Sequence, residues 1–218
     1  MNAIAAVVLM SAIVLAMPAS AQSLSPEEIN QAIVAGQSGK HRQLVLTCQA
    51  VIGFREIFKG EKAGLDFTGS YEVHLSPTTG RIALLAAEAK RFYKPFSIAQ
   101  VPDELKVSDA VMTAEPAAPE LSSTTRGSIS VAAAIELLVI KAWPNRKLVV
   151  KPTAFTTEPI EWPNVAGQTV RANRARARFR LGEIVELPPG DLELAVVTPA
   201  GERTCIVPSR DRRRVFGR

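Results

Sequence analysis

The apolar positions of this chain change their spacing from segment to segment, and those changes predict its elements. From Ala3 to Met17 the run is apolar except for Ser11, and Pro18 and Ala19-Ser20-Ala21 follow in the small-x-small pattern accepted by signal peptidases. This predicts an export signal over residues 1–21, cut after Ala21, which leaves 218 − 21 = 197 residues beginning at Gln22. No Lys or Arg precedes Lys40, so the basic start of a typical signal is missing. The competing expectation is an uncleaved N-terminal membrane anchor. Against it, the run of about 15 residues is shorter than the roughly 20 that span a bilayer core.

Ser25-Pro26-Glu27-Glu28 then reads as a helix start, with a Ser cap, Pro in the first turn and Glu completing a capping box. The helix is expected to run to about Ala35 and to end at Gly36. Gln43–Val51 (QLVLTCQAV) has strand character, and Tyr71–Leu75 alternates, with Tyr71, Val73 and Leu75 on one face and Glu72 and His74 on the other. Over Thr79–Tyr93 the period becomes helical: Ile82, Leu85, Ala86, Ala89, Phe92 and Tyr93 share a side opposite Glu88, Arg91 and Lys94, and Pro95 stops the helix. Its Ala-rich stripe is expected to pack on a small sheet. Lys106–Thr113 supplies a further candidate strand.

Residues 114–130 (AEPAAPELSSTTRGSIS) have few large apolar side chains to bury, which predicts a linker or exposed loop between a mixed α+β domain at 22–113 and a second domain at 131–209. In the second part Ile135–Ala142 and Lys147–Phe155 flank a turn at Trp143-Pro144-Asn145-Arg146. Leu192–Val197 and Arg203–Val207 flank a hairpin loop. Arg174–Leu181 and a short strand at Ile184–Leu187 lie between these pairs. In pattern this part resembles the antiparallel β-sandwich of immunoglobulin and fibronectin type III domains, although it lacks the Cys-Trp-Cys spacing of the former. The expected fold class is therefore α+β, a small mixed N-terminal half followed by a sandwich, with a basic tail at 210–218.

Composition allows this reading: 47% hydrophobic and 22% charged residues are those of a globular protein large enough for one core or two small ones. The two cysteines, Cys48 and Cys205, lie in opposite halves. In oxidising surroundings they suit a disulfide, and closing a loop of about 158 residues would restrict the unfolded chain by roughly 5 kcal/mol. The alternative is two reduced, buried thiols in separate cores. Two Cys and two His without CxxC or HxxxH spacing do not compose a zinc site, and neither a metal nor a cofactor is expected.

Catalytic motifs are imitated rather than met. Gly36-Gln37-Ser38-Gly39-Lys40-His41 approaches a phosphate loop, but Val34 stands where its first Gly belongs and His41 stands where Ser or Thr would hold magnesium. There is no GxSxG, SxxK, HExxH or calcium-loop pattern. A histidine-based mechanism would have to use His41 or His74, and a solvated surface role accounts for both.

Charge adds one feature. In the expected strand, Arg174, Arg176, Arg178 and Arg180 project from one face, while Ala175, Ala177, Phe179 and Leu181 face inward. Alternate side chains about 6.6 Å apart would make a basic stripe about 20 Å long. Guanidinium groups grip carboxylates and phosphates through paired hydrogen bonds, so the stripe suits an anionic polymer or partner. Cross-strand pairing with Glu183, Glu186, Asp191, Glu193 and Glu202 is the stronger account of the stripe and needs no ligand. Arg210, Arg212, Arg213, Arg214 and Arg218 oppose a single Asp211 in the tail, where a solvated end suffices.

The leading expectation is a non-enzymatic exported protein, periplasmic or secreted, acting as an interaction module for an anionic envelope polymer or another envelope protein. The alternatives are an exported hydrolase of unrecognised type and an assembly subunit joined through sheet edges. Nucleic acid is not an expected partner.

Overall fold

The computed structural model describes residues 22–52, 70–117, 135–163, 169–199 and 201–217. The expected signal at 1–21 and most of the expected linker lie outside them. The linker's first three residues, Ala114 to Pro116, end a strand.

Helix α1 spans Pro26–Gln37 and starts with the expected capping box: Ser25 Oγ accepts from the Glu28 amide, and the Ser25 amide donates to Glu28 Oε2 at 2.8 Å. Gly36 does not end it. This glycine lies in the last turn, pressed against helix α2 (Thr78–Arg91) so closely that a Cβ there would strike the Ala83 carbonyl and come within 2.8 Å of Ala86 Cβ. The Ala-rich stripe of α2 therefore packs on α1 rather than on a sheet, because small residues on both helices let their backbones approach. Leu24, Ile29, Ala32, Ile33, Ile82, Ala86, Val101 and Leu105 fill the cluster between them. Phe92 and Tyr93 do not extend the stripe, since the helix closes at Arg91 and leaves both rings exposed.

Among the described residues nine strands form: β1 (Leu46–Ile52), β2 (Tyr71–Pro77), β3 (Asp109–Pro116), β4 (Leu137–Ala142), β5 (Val149–Val150), β6 (Ala154–Pro163), β7 (Thr169–Arg180), β8 (Leu192–Thr198) and β9 (Gly201–Val207). Their spatial order is β5-β4-β8-β9-β1-β2-β3-β7-β6, with every pairing antiparallel. Helices and antiparallel sheets together make the α+β class expected from the sequence.

Strand β1 belongs to two sheets. Leu46–Ala50 pair with Leu75–Tyr71 of β2, whereas Val51 and Ile52 pair with Thr204 and Arg203 of β9. One sheet is β1-β2-β3-β7-β6 and the other β5-β4-β8-β9-β1. Tyr71, Val73, Leu75, Met112, Ala175, Ala177 and Phe179 of the first share one core with Leu138, Ile140, Leu192, Leu194, Val196 and Val207 of the second. Strand pairing thus crosses the division expected at 114–130. β6 and β7 join the sheet of β1–β3, so 131–209 do not make up a sandwich by themselves.

Two further expectations are corrected. Ile184–Leu187 is not a strand: helix α3 covers Leu181–Glu186, and the spacing of three between Leu181, Ile184 and Leu187 turns all of them toward the core. Nor is 210–217 a solvated tail. Helix α4 spans Ser209–Phe216 and packs Val215 and Phe216 on the core. Its buried Arg212 donates from Nη1 to the carbonyls of Pro188 and Gly190, and from Nη2 to those of Ile184 and Leu187. Burial lowers the pKa of this guanidinium from its ordinary value, and the group remains charged.

The disulfide joins Cys48 of β1 to Cys205 of β9, with Cα atoms 6.1 Å apart. It stands beside the last β1–β9 pair, Val51↔Thr204, where the two sheets diverge. Cys48→Ala with Cys205→Ala is expected to cost about 2–5 kcal/mol in urea unfolding, since the bond closes a loop across 157 positions. Arg212→Met keeps much of the side-chain volume but strips the four carbonyls of their donor. It is expected to lower unfolding free energy by about 2–4 kcal/mol in the same assay.

Candidate functional site

The face of the first sheet turned away from the core is organised in rows, because antiparallel register sets residues of five strands side by side. Thr47, His74, Thr113, Arg176 and Thr156 are successive cross-strand partners on β1, β2, β3, β7 and β6. Ser76, Val111, Arg178 and Ala154 form the row on one side, and Gln49, Glu72, Glu115, Arg174 and Glu158 the row on the other. The first two rows floor a groove of about 780 Å³. Arg81 and Leu84 of α2, together with His41 and Arg42 of the short 3-10 turn Lys40–Leu44, also line it.

This groove gathers Arg176 and Arg178 of the expected basic stripe, both histidines, and two arginines, Arg42 and Arg81, that the sequence did not single out. Among the described residues no acidic side chain lines it. Behind it stands buried Asp109, at the start of β3, whose Oδ1 accepts from the Thr78 hydroxyl at 2.6 Å and from Arg81 Nη2. Arg178 Nε lies 3.1 Å from Asp109 Oδ2. One carboxylate therefore serves two guanidinium groups. Burial lowers the Arg81 pKa from its ordinary value; the Asp109 charge opposes this, and the charges of Arg178 and Arg176 add to it. The cations of the groove repel one another.

The four stripe arginines have different surroundings. Arg174 is gripped by Glu115 at 2.7 Å and Glu158 at 3.1 Å, and these bonds raise its pKa above the ordinary value. Arg178 pairs with Asp109, and Arg180 with Glu183 at 3.4 Å. Arg176 is exposed and has no hydrogen bond or ion pair among the described residues. Of the carboxylates expected to neutralise the stripe, Glu183 alone does so. Glu193 instead lies within 2.7 Å of Arg146, and Glu202 within 2.7 Å of Lys141, both on the other sheet. Partners for Arg174 and Arg178 come from β3 and β6, which only the strand order reveals.

His74 joins two neighbours on this face. Its Nδ1 is 3.0 Å from the Thr47 hydroxyl and its Nε2 is 3.3 Å from Glu72 Oε1. A hydroxyl, an imidazole and a carboxylate thus stand in sequence, although direct cross-strand pairing of Thr47 with His74 accounts for the contact. Ligand atoms of Glu72, His74 and Glu115 also lie within 4.8 Å of one another, a spacing that would suit a metal ion. Glu115, however, is already committed to Arg174, a competing cation.

Comparison with known proteins gives no match to this chain among protein-family models, curated proteins or solved structures. Among the described residues no helix is long and apolar enough to cross a membrane.

Asp109→Ala would leave Arg81 and Arg178 facing each other without their shared counter-charge. The expected loss is about 2–4 kcal/mol in urea unfolding, less than for a fully buried pair because Arg178 is half-exposed.

Proposed function

We propose that this protein is an exported, non-enzymatic binding module that holds an anionic group of an envelope polymer or partner in the groove on its first sheet. The observation that carries this reading is Arg176, exposed between Thr113 and Thr156 in its row and without a carboxylate partner among the described residues. Around it Arg42, Arg81 and Arg178 line the same groove, with Asp109 neutralising at most one of their charges. A surplus of positive charge in a concave site draws anions, and a planar guanidinium flanked by the hydroxyls of Thr113 and Thr156 offers several donors to one carboxylate or phosphate. The facing sheets serve as a rigid sandwich-like scaffold, as in immunoglobulin and fibronectin type III modules, which display ligand contacts on a sheet or its loops. Export is supported by the signal-like opening of the chain and agrees with the Cys48–Cys205 bond.

An exported hydrolase is the second reading, favoured by the succession of Thr47, His74 and Glu72. It requires ester or amide turnover that disappears in Thr47→Ala, whereas the binding module requires ligand retention that survives this substitution.

Arg176→Ala is the direct test. The side chain is exposed and unpaired, so folding stability is expected to stay within about 0.5 kcal/mol. Affinity for an anionic matrix such as polygalacturonate or polyphosphate is expected to fall roughly 10-fold, and wild-type retention to weaken with added salt. Retention unchanged in Arg176→Ala, and equal to that of Arg213→Ala on the separate helix α4, would reject the groove as the site.

A further inference from the structure

The helical layer carries a second surface, independent of the groove. Helix α2 ends in a Schellman turn: the Tyr93 amide donates to the Lys90 carbonyl at 3.0 Å and the Lys94 amide to the Ala89 carbonyl at 2.9 Å. The residue beyond the cap of such a turn adopts left-handed backbone angles, which favours glycine. Here it is Tyr93, at φ 54° and 98% exposed. A bulky residue at that angle is an outlier, and its ring gains no packing in return. Phe92, just before it, is 58% exposed with Arg91 over its ring.

Helix closure accounts for the cations at this end, because Lys90 and Arg91 complement the negative pole of the helix. It does not account for two exposed aromatics at the apex. Residues 90–94 read Lys-Arg-Phe-Tyr-Lys without an acid, and neither Arg91 nor Lys94 has a carboxylate partner among the described residues. Aromatic rings with a polar or cationic flank suit the boundary between lipid headgroups and acyl chains. Basic side chains beside them suit a surface of negative charge.

We propose that the 90–94 tip docks on an anionic bilayer, with Phe92 and Tyr93 entering the headgroup region and Arg91 and Lys94 facing the lipid phosphates. The tip confers peripheral attachment, requires no spanning segment, and leaves the groove free to face its own ligand.

Vesicle cosedimentation of the full chain tests this. Binding is expected to phosphatidylglycerol-containing vesicles, weakened by salt and by replacing them with phosphatidylcholine vesicles. Tyr93→Gly and Phe92→Ser are each expected to reduce partitioning by roughly 10-fold. Tyr93→Gly places the residue preferred at a left-handed position, so its Tm should be unchanged or higher, and lost binding would not reflect unfolding. The proposal is overturned if the wild-type chain ignores anionic vesicles or if both variants bind as well as it does. It is also overturned if Arg176→Ala abolishes vesicle binding that Tyr93→Gly leaves intact, which would assign the lipid to the groove. Finally, a dimer formed without vesicles and dissolved by Tyr93→Gly would make the tip a contact between copies.

Discussion

Over Leu46–Ala50 the backbone of β1 is bonded to β2, and over Val51–Ile52 it is bonded to β9; this division of one strand between two partners holds the molecule together. Each sheet can then continue in its own direction, and their apolar faces meet across one core. The Cys48–Cys205 bond ties the strands where their hydrogen bonding gives out. Small side chains at Ala50, Ala175 and Ala177, all fully buried, let the two layers come close without strain on the larger Tyr71 and Phe179.

The same geometry makes the outer face of the first sheet a candidate for chemistry. With β2, β3, β7 and β6 in antiparallel register, residues far apart in sequence become immediate neighbours, and polar positions on one strand find polar positions on the next. One row cancels its charges, Arg174 lying between Glu115 and Glu158. The neighbouring row does not, and Arg176 stays open beside arginines delivered by α2 and by the 3-10 turn at Lys40–Leu44. Asp109 keeps this concentration of cations tolerable by holding Arg81 and Arg178 in place. Without such a fixed carboxylate, mutual repulsion would push the guanidinium groups apart.

Local signals were legible where a short stretch decides the structure. The capping box at Ser25 and Glu28, the alternation of Tyr71, Val73 and Leu75, the hairpin around Gly201 and the inward alanines of β7 depend on neighbours in sequence. Misreadings occurred where a remote contact overrides the local pattern. Gly36 resembles a helix end but is required by the closeness of α2, and the charged tail is a helix because Arg212 finds carbonyls of 184–190 to bind. Of the candidate site, the alternation of arginines was visible, but Arg42, Arg81 and Asp109 gave no sign of their role. Their meeting depends on which strands lie side by side.

By itself the sequence determined which residues of β2 and β7 turn inward, that α1 starts with a capping box, and that two cysteines were available to pair. These are matters of period and local hydrogen bonding, expressed within a few residues. Only the tertiary structure decided that β7 lies between β3 and β6, so that Arg174 is neutralised while Arg176 is not. A charge is paired or free according to what stands a few ångströms away, and strand order, to which local periodicity is blind, sets that distance.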